Sequence, residues 1–271
     1  IILLNKMQEK DIINSAKILF DLKLNAQSIE KLKNNLSPKN INDAYLIQEK
    51  LKINYLTLKE NFCIGKKVGC TNIEAQKQVG VNEPFYGNLY SRFSASNNCS
   101  LNSKNFSEPY IEPEISFVIK KDIDISKAPF SIKNIDEIFE GIICSIEIVD
   151  FRFRKSINQI GIENLIATNG ASDYWIKGNN IYKLKDVNFL NTPIFLYINE
   201  ELIIEGNTNK VLGNPVNSAI WLLNKISEKG QTMLKGQYIS TGSCTKAIKL
   251  IKNNKIKVKF ESLETIEFIY N

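Results

Sequence analysis

Ile111-Glu112-Pro113-Glu114-Ile115-Ser116-Phe117-Val118-Ile119 alternates acidic and polar residues with apolar ones as far as Phe117, around two carboxylates. A strand sends successive side chains to opposite faces, so Glu112 and Glu114 project from one face while Ile111, Ile115, Phe117 and Ile119 cover the other. Further along, the apolar run Ile142-Ile143-Cys144-Ser145-Ile146-Glu147-Ile148-Val149 carries a single acid, Glu147, flanked by isoleucines and sharing its strand face with Ser145 and Val149. An ionised carboxylate in that setting is costly unless it is paired or bound to a metal. Three acids of this kind without a nearby Arg suggest a hard divalent cation. A second reading carries equal weight at this level: Pro113 cannot donate to a central ladder, which makes Glu112 and Glu114 solvated residues of an edge strand.

The chain of 271 residues contains no histidine. Zinc sites built on His, Ser-His-Asp triads and a His general base are thereby disfavoured. Oxygen-only ligation selects Mg²⁺, Mn²⁺ or Ca²⁺, and acid-base work falls to Glu, Asp, Lys, Tyr or water.

The length suits one large domain or two small ones, and 43% hydrophobic with 24% charged residues is ordinary for a globular protein. The net charge of +6 is spread over many lysines, which argues for a small anionic substrate more than for nucleic acid. No basic stripe interleaved with aromatics is present. Five cysteines with no CxxC pair point to a reduced, cytoplasmic setting. Ile1-Ile2-Leu3-Leu4 is too short for a signal-peptide core, and no apolar run reaches membrane-spanning length. Met7 is read as the natural start, with residues 1–6 a remnant upstream of it.

Helical spacing predicts a helix from Lys10 to Leu24 and a second after Ser37-Pro38, with Ala44, Ile47, Leu51 and Tyr55 on one stripe and Asn42 or Asp43 as cap. Short β-type runs follow at 66–70, 111–120, 142–150, 194–199 and 256–260, with a hairpin turn at Asn199-Glu200. A late helix is punctuated by Asn214 as cap, Pro215 at its first position and Gly230 as stop. The polar stretch Asn97 to Ser107 reads as a mobile loop. The layout is α+β, with an N-terminal helical region over 1–62 and a mixed β body over 63–271 as one integrated domain.

Five blocks in order resemble the 2-keto-4-pentenoate hydratase and 4-oxalocrotonate decarboxylase branch of the fumarylacetoacetate hydrolase superfamily. They are Gly65-Lys66-Lys67-Val68-Gly69-Cys70-Thr71, Gly80-Val81-Asn82-Glu83-Pro84-Phe85-Tyr86-Gly87, Glu112 to Val118, Ile146-Glu147-Ile148-Val149-Asp150-Phe151-Arg152, and Ser240-Thr241-Gly242-Ser243-Cys244-Thr245. The resemblance runs from about Ser37 to Phe268. It implies that superfamily's mixed β-roll or sandwich behind a helical segment, with Glu112, Glu114 and Glu147 as ligands of Mg²⁺ or Mn²⁺. It also implies a small 2-keto or 2-enol acid substrate, which such a metal chelates through its carboxylate and adjacent oxygen.

By the same resemblance Lys67 steadies the substrate carboxylate or shuttles a proton, while Lys66 is a surface residue. Ser172 in Asn169-Gly170-Ala171-Ser172 matches the second serine of a family N-A-S-S segment and bonds the substrate carboxylate or a water, although Asn-Gly is also a plain turn signal. Ser243 and Thr245 lie in a loop suited to an anion. Asp150 and Arg152 are expected to pair and orient Glu147. Cys244 lacks the surroundings of a nucleophile. Two departures leave the substrate and proton route open: Asn82 stands where the family often has Asp, and Ala171 replaces the first serine. The absence of His argues against carbon–carbon bond hydrolysis by a His-containing dyad.

The leading expectation is a metal-dependent hydratase acting on a 2-hydroxy-2,4-dienoate of the kind formed late in meta-cleavage of aromatic rings. Its rival is decarboxylation of a 2-keto-3-enedioate, for which Arg92 and Arg154 are candidate second carboxylate contacts. A third possibility is a non-catalytic metal-binding subunit. The resemblance further implies a homo-oligomer, or association with a partner enzyme of the same pathway.

Overall fold

A computed structural model describes residues 6–271; Ile1–Leu4, and all but Lys6 of the stretch read as an upstream remnant, lie outside the described residues. Two helices come first, α1 (Glu9–Leu24) and α2 (Ile41–Leu56), followed by β1 (Cys63–Gly69), α3 (Ile73–Val79), β2 (Phe85–Tyr90), β3 (Ser94–Ser96), β4 (Cys99–Leu101) and β5 (Pro109–Ile119). Next are α4 (Ile135–Ile138), β6 (Phe139–Asp150), α5 (Ile157–Ile160), α6 (Ile162–Ala167), β7 (Ser172–Lys177), β8 (Pro193–Ile198) and β9 (Glu201–Asn207). The chain ends with α7 (Pro215–Ser227), β10 (Tyr238–Ser243), β11 (Ile248–Lys249), β12 (Asn254–Phe260) and β13 (Thr265–Tyr270). This is the expected α+β layout of leading helices and mixed sheets.

Local chemistry sets the helix ends. Glu9 and Asp11 occupy the first turn of α1, where negative charge meets the positive end of the helix dipole. The cap of α2 is Asn40, whose side chain accepts the Asp43 N–H at 2.9 Å, rather than Asn42 or Asp43 themselves. In α7 the Asn214 side chain accepts from Val216 N–H and Pro215 fills the first position, where its missing donor is harmless. Ala44, Ile47, Leu51 and Tyr55 of α2 and Val216, Ala219, Leu223 and Ile226 of α7 are all buried.

The larger sheet has the order β2-β1-β10-β5-β6-β7-β3, with β11 added beside β5. It curls until β2 comes against β7, forming a roll. The outer face, including Ile111, Ile115, Phe117, Ile146, Ile148 and Ile239, joins one hydrophobic core with α1, α2, α7 and the second sheet. That second sheet, β4-β13-β12-β8-β9, contributes Ile256, Val258, Phe260, Ile266 and Phe268. The inner face is largely polar: Lys67, Glu114, Ser116, Ser145, Glu147 and Ser240 are buried there, with Trp175.

Four expectations need correction. β5 lies between β10 and β6 at the middle of the sheet, so the edge-strand reading fails. Pro113 is tolerated because its carbonyl accepts Cys244 N–H at 2.9 Å, while the Cys244 carbonyl, which would otherwise take the missing proline donor, accepts Asn207 N–H at 3.1 Å. Asn97 to Ser107 includes β4, which pairs parallel with β13, so this polar stretch is not a simple loop. Lys66 is only 4% exposed, because β1 is covered on both faces. Strands β2, β7 and β10 were not anticipated, since their residues mix polar and aromatic types without clean alternation; β13 was not anticipated either, although Ile266, Phe268 and Tyr270 alternate inward along it. The Asn199-Glu200 turn joins β8 to β9 as expected, with φ of 50° and 67°.

Candidate metal centre

Glu112 and Glu114 on β5 meet Glu147 on β6. The two strands pair antiparallel with Glu112 opposite Glu147 and Glu114 opposite Ser145, and residues opposite each other project to one face. One oxygen from each acid lies within 4.8 Å of the other two. That spread matches a single cation with oxygen ligands at about 2.0–2.6 Å. Glu114 and Glu147 are fully buried, while Glu112 retains some access to solvent. Burial pushes the Glu112 carboxyl up to about 7, with Glu147 adding to the effect and Lys67 opposing it. Burial drives Glu114 well above the carboxylate range, helped by Glu147 and Glu112.

Lys67 arrives from β1, two strands away from β5 across β10. Its Nζ lies 3.1 Å from Glu147 Oε2, and both side chains are sealed from solvent. Burial alone would lower its basicity, but Glu147, Glu112 and Glu114 together raise it above the ordinary value, so it is a protonated ammonium at neutral pH. The Phe85 ring sits 5.5 Å from Nζ. One ammonium against three carboxylates leaves two negative charges uncompensated when all are ionised, the charge of one divalent cation.

Glu114 is positioned by the irregular step in β10. Ser240 Oγ and Gly242 N–H both donate to Glu114 Oε2, the latter at 3.1 Å. Gly242 has φ of +108°, and a Cβ there would meet Thr71 Oγ1 at 2.0 Å, so glycine is required. Ser116 and Ser145 extend the cluster, with Ser116 Oγ 2.7 Å from Ser145 Oγ and donating to Ser240 Oγ at 3.0 Å. By contrast Glu114 Oε1 and Glu147 Oε1 are buried and accept no hydrogen bond, and Glu147 Oε2 faces the Lys67 ammonium alone. Orphaned carboxylate oxygens converging on one point fit a bound cation.

The remaining sequence-predicted residues are placed more widely. Ser172 opens β7 and lines narrow crevices with Lys23, Tyr55 and Asp173. Ser243 pairs with Glu114 across the β10–β5 ladder, but its hydroxyl donates to Thr245 O at 3.0 Å, and Thr245 Oγ1 donates to Lys246 O at 2.9 Å. Asp150 and Arg152 do pair at 3.0 Å, yet their further bonds run to Asp173, which also binds Lys23 of α1, and to the N–H groups of Ser107 and Glu108. Asp150 lies on the strand face opposite Glu147, so this network ties α1 to the sheet and makes no direct bond to the carboxylate. Cys244 is completely buried, and burial pushes its thiol far up. Arg154 is exposed and paired with Glu30, and Arg92 is exposed. Ser240, Gly242 and Trp175 were missed as site residues; serines at inward positions of otherwise apolar strands were the available signal.

No protein-family model matches the chain. It is 26% identical over 265 residues to a 4-oxalocrotonate decarboxylase of Pseudomonas putida, covering 96% of this chain and 97% of the relative. It is 22% identical over 256 residues to 2-keto-4-pentenoate hydratase 1 of Dechloromonas aromatica, covering 94% and 95%. Among solved structures, the 4-oxalocrotonate decarboxylase of Pseudomonas putida G7 complexed with magnesium and adipate superposes with a TM-score of 0.91 at 24% identity, over 98% of this chain and 100% of that one. A fumarylpyruvate hydrolase of Pseudomonas aeruginosa in complex with Mn²⁺ and pyruvate shares the fold at a TM-score of 0.60, with 12% identity over 76% of this chain and 88% of that one. Matched along nearly its whole length by both kinds of relative, the chain is similar to 4-oxalocrotonate decarboxylases and 2-keto-4-pentenoate hydratases, and it shares the fold of the decarboxylase and fumarylpyruvate hydrolase structures.

Proposed function

We propose that this protein is a divalent-metal-dependent lyase that adds water to a 2-hydroxy-2,4-dienoate, giving a 4-hydroxy-2-keto acid. The observation that carries the reading is the convergence of three carboxylates, two fully buried, against a single ammonium. Glu112, Glu114 and Glu147 would hold Mg²⁺ or Mn²⁺. When bound, the cation supplies Lewis-acid stabilisation of negative charge on the substrate 2-oxygen and C1 carboxylate. Lys67 Nζ, protonated at neutral pH, anchors the substrate carboxylate from the β1 side, and the Phe85 ring screens it from water. Ser240 and Gly242 keep Glu114 in one orientation through both proton movement to C5 and water addition at C4. Ser172, Ser243 and Thr245 are further candidates for substrate contact. The five free thiols fit a reducing, cytoplasmic setting.

A second reading, decarboxylation of a 2-keto-3-enedioate, is favoured by the whole-length likeness to 4-oxalocrotonate decarboxylases. It requires a contact for a second carboxylate. Arg154 is already engaged by Glu30 at the surface, which weighs toward the hydratase.

Proton NMR of 2-hydroxypenta-2,4-dienoate with the purified chain and Mg²⁺ tests the proposal. Appearance of 4-hydroxy-2-oxopentanoate that stops with a chelator supports the hydratase. CO₂ release from 4-oxalocrotonate alone supports the decarboxylase. Inertness toward both leaves a metal-binding subunit, whose partner would then be sought among enzymes of the same pathway or further copies of the chain.

A further inference from the structure

Trp175 stands directly opposite Glu147 in the β6–β7 ladder, and its indole Nε1–H donates to Ser240 Oγ at 3.2 Å. Because Ser240 also holds Glu114, the 1% exposed indole forms the back wall of the carboxylate cluster. Beyond that wall the roll opens into a cavity of about 470 Å³ that the proposed reaction does not use. Its size falls within the ordinary range for small-molecule sites, about 300–1,000 Å³.

The lining has a definite chemical character. The Tyr238 ring lines the cavity with the buried Trp175 indole packed against it, centroids 4.9 Å apart and planes inclined by 45°. Lys177 reaches over Tyr238, its Nζ 5.8 Å from the ring centroid, and Lys235 stands at the exposed rim. Neither ammonium has an ion-pair partner among the described residues, unlike Lys23, Lys67, Lys225 and Lys257. No acidic residue lines the cavity. Phe62, 61% exposed, adds an apolar lip, and the Ser96 hydroxyl is a further polar group at the edge.

We propose that this cavity is a second ligand site, taking a small planar organic carboxylate such as an aromatic or conjugated acid. Offset stacking on Tyr238, backed by Trp175, holds the planar body, and Lys177 with Lys235 receives the carboxylate through charge-assisted hydrogen bonds. The indole separates this ligand from the carboxylate cluster, so binding here is independent of the lyase reading.

Trp175 is also the reporter. In a Trp221→Phe chain it is the sole tryptophan, and benzoate titrated into the Mg²⁺-loaded protein should change its fluorescence saturably. Benzamide, of the same shape without the charge, should bind at least tenfold more weakly. Lys177→Gln with Lys235→Gln should weaken benzoate by tenfold or more, and Lys235→Gln alone, at an exposed position, by less. Calorimetric titration of the unsubstituted chain gives the same comparison without the Trp221 change. An unsaturable response, equal binding of benzamide, or benzoate binding that survives both lysine substitutions would overturn the proposal, the last by placing benzoate at the metal. So would self-association broken by Phe62→Asp, since a second copy would then cover the cavity.

Discussion

Lys67 and Glu147 form an ion pair at 3.1 Å inside the roll, joining β1 to β6 across two intervening strands. The pair is unlike a surface salt bridge, because neither partner can turn to water when the other is removed. Breaking such a pair from one side strands a buried charge, which typically costs about 3–5 kcal/mol. Lys67→Met should therefore lose stability up to that amount in the presence of a chelator. Glu112 and Glu114, already pushed up by burial, limit the loss by taking protons. Urea unfolding with and without Mg²⁺ checks this: the cation should restore most of the loss, and restoration equal to that in the unsubstituted chain would contradict the pairing.

Metal binding should itself appear as stability. A cation that binds only the folded state at 100 times its dissociation constant adds about 2.7 kcal/mol. Thermal unfolding of the unsubstituted chain should shift upward with Mg²⁺ concentration, and Glu147→Gln should abolish the shift and the turnover while the chain still folds. Removing Glu147 leaves Lys67 facing Glu112 and Glu114, so no ammonium is orphaned. A Mg²⁺-dependent shift that persists in Glu147→Gln would move the ligand set elsewhere.

Much of this centre was legible because β5 and β6 obey the simple period of two, and an acid within an apolar run is conspicuous under that rule. What stayed hidden depends on neighbours that no single strand declares. Pro113 suggested an edge, but Asn207 N–H, distant in sequence, takes the place of its missing donor on the Cys244 carbonyl. Lys66 and Lys67 look alike in the chain, yet alternation sends Lys67 to the inner face and Lys66 to the outer, where Asn88 and the Tyr86 ring on the neighbouring strand meet the buried Lys66 ammonium. Asp150 and Arg152 were rightly read as partners. Their positions, three and five residues beyond Glu147, put them on the other face, where helix α1 and Lys23 meet them.

Lys66 provides a pH signature. Its Nζ donates to Asn88 Oδ1 at 2.8 Å and lies 5.1 Å from the Tyr86 ring centroid, but burial lowers its pKa to about 8 from an unfolded value of 10.5. Below pH 8 both states carry the proton and the folded state bears the full cost of the buried charge. Between pH 8 and 10.5 the folded chain releases a proton that the unfolded chain keeps, so stability rises with pH across that window. Lys66→Met should remove this rise, changing the stability difference between the two chains by on the order of 3 kcal/mol from pH 7 to pH 10.5. Parallel slopes for the two chains in urea titrations over this range would refute the assignment.

Gly242 joins the backbone and the carboxylate cluster in one residue. Its φ of +108° is a conformation that other residues adopt only under strain of roughly 1–3 kcal/mol, and a Cβ would also press on Thr71 at 2.0 Å. Gly242→Ala should thus destabilise the chain by about 2 kcal/mol or more. The strain falls on the N–H that holds Glu114 Oε2, so Mg²⁺ affinity should drop as well. Ser240→Ala separates the two effects, since it removes the other donor to the same oxygen without touching the backbone. Calorimetric Mg²⁺ titration should show weakened binding in both variants, with the larger loss of folding stability in Gly242→Ala. Undiminished Mg²⁺ affinity in both would mean that Glu114 is not a ligand.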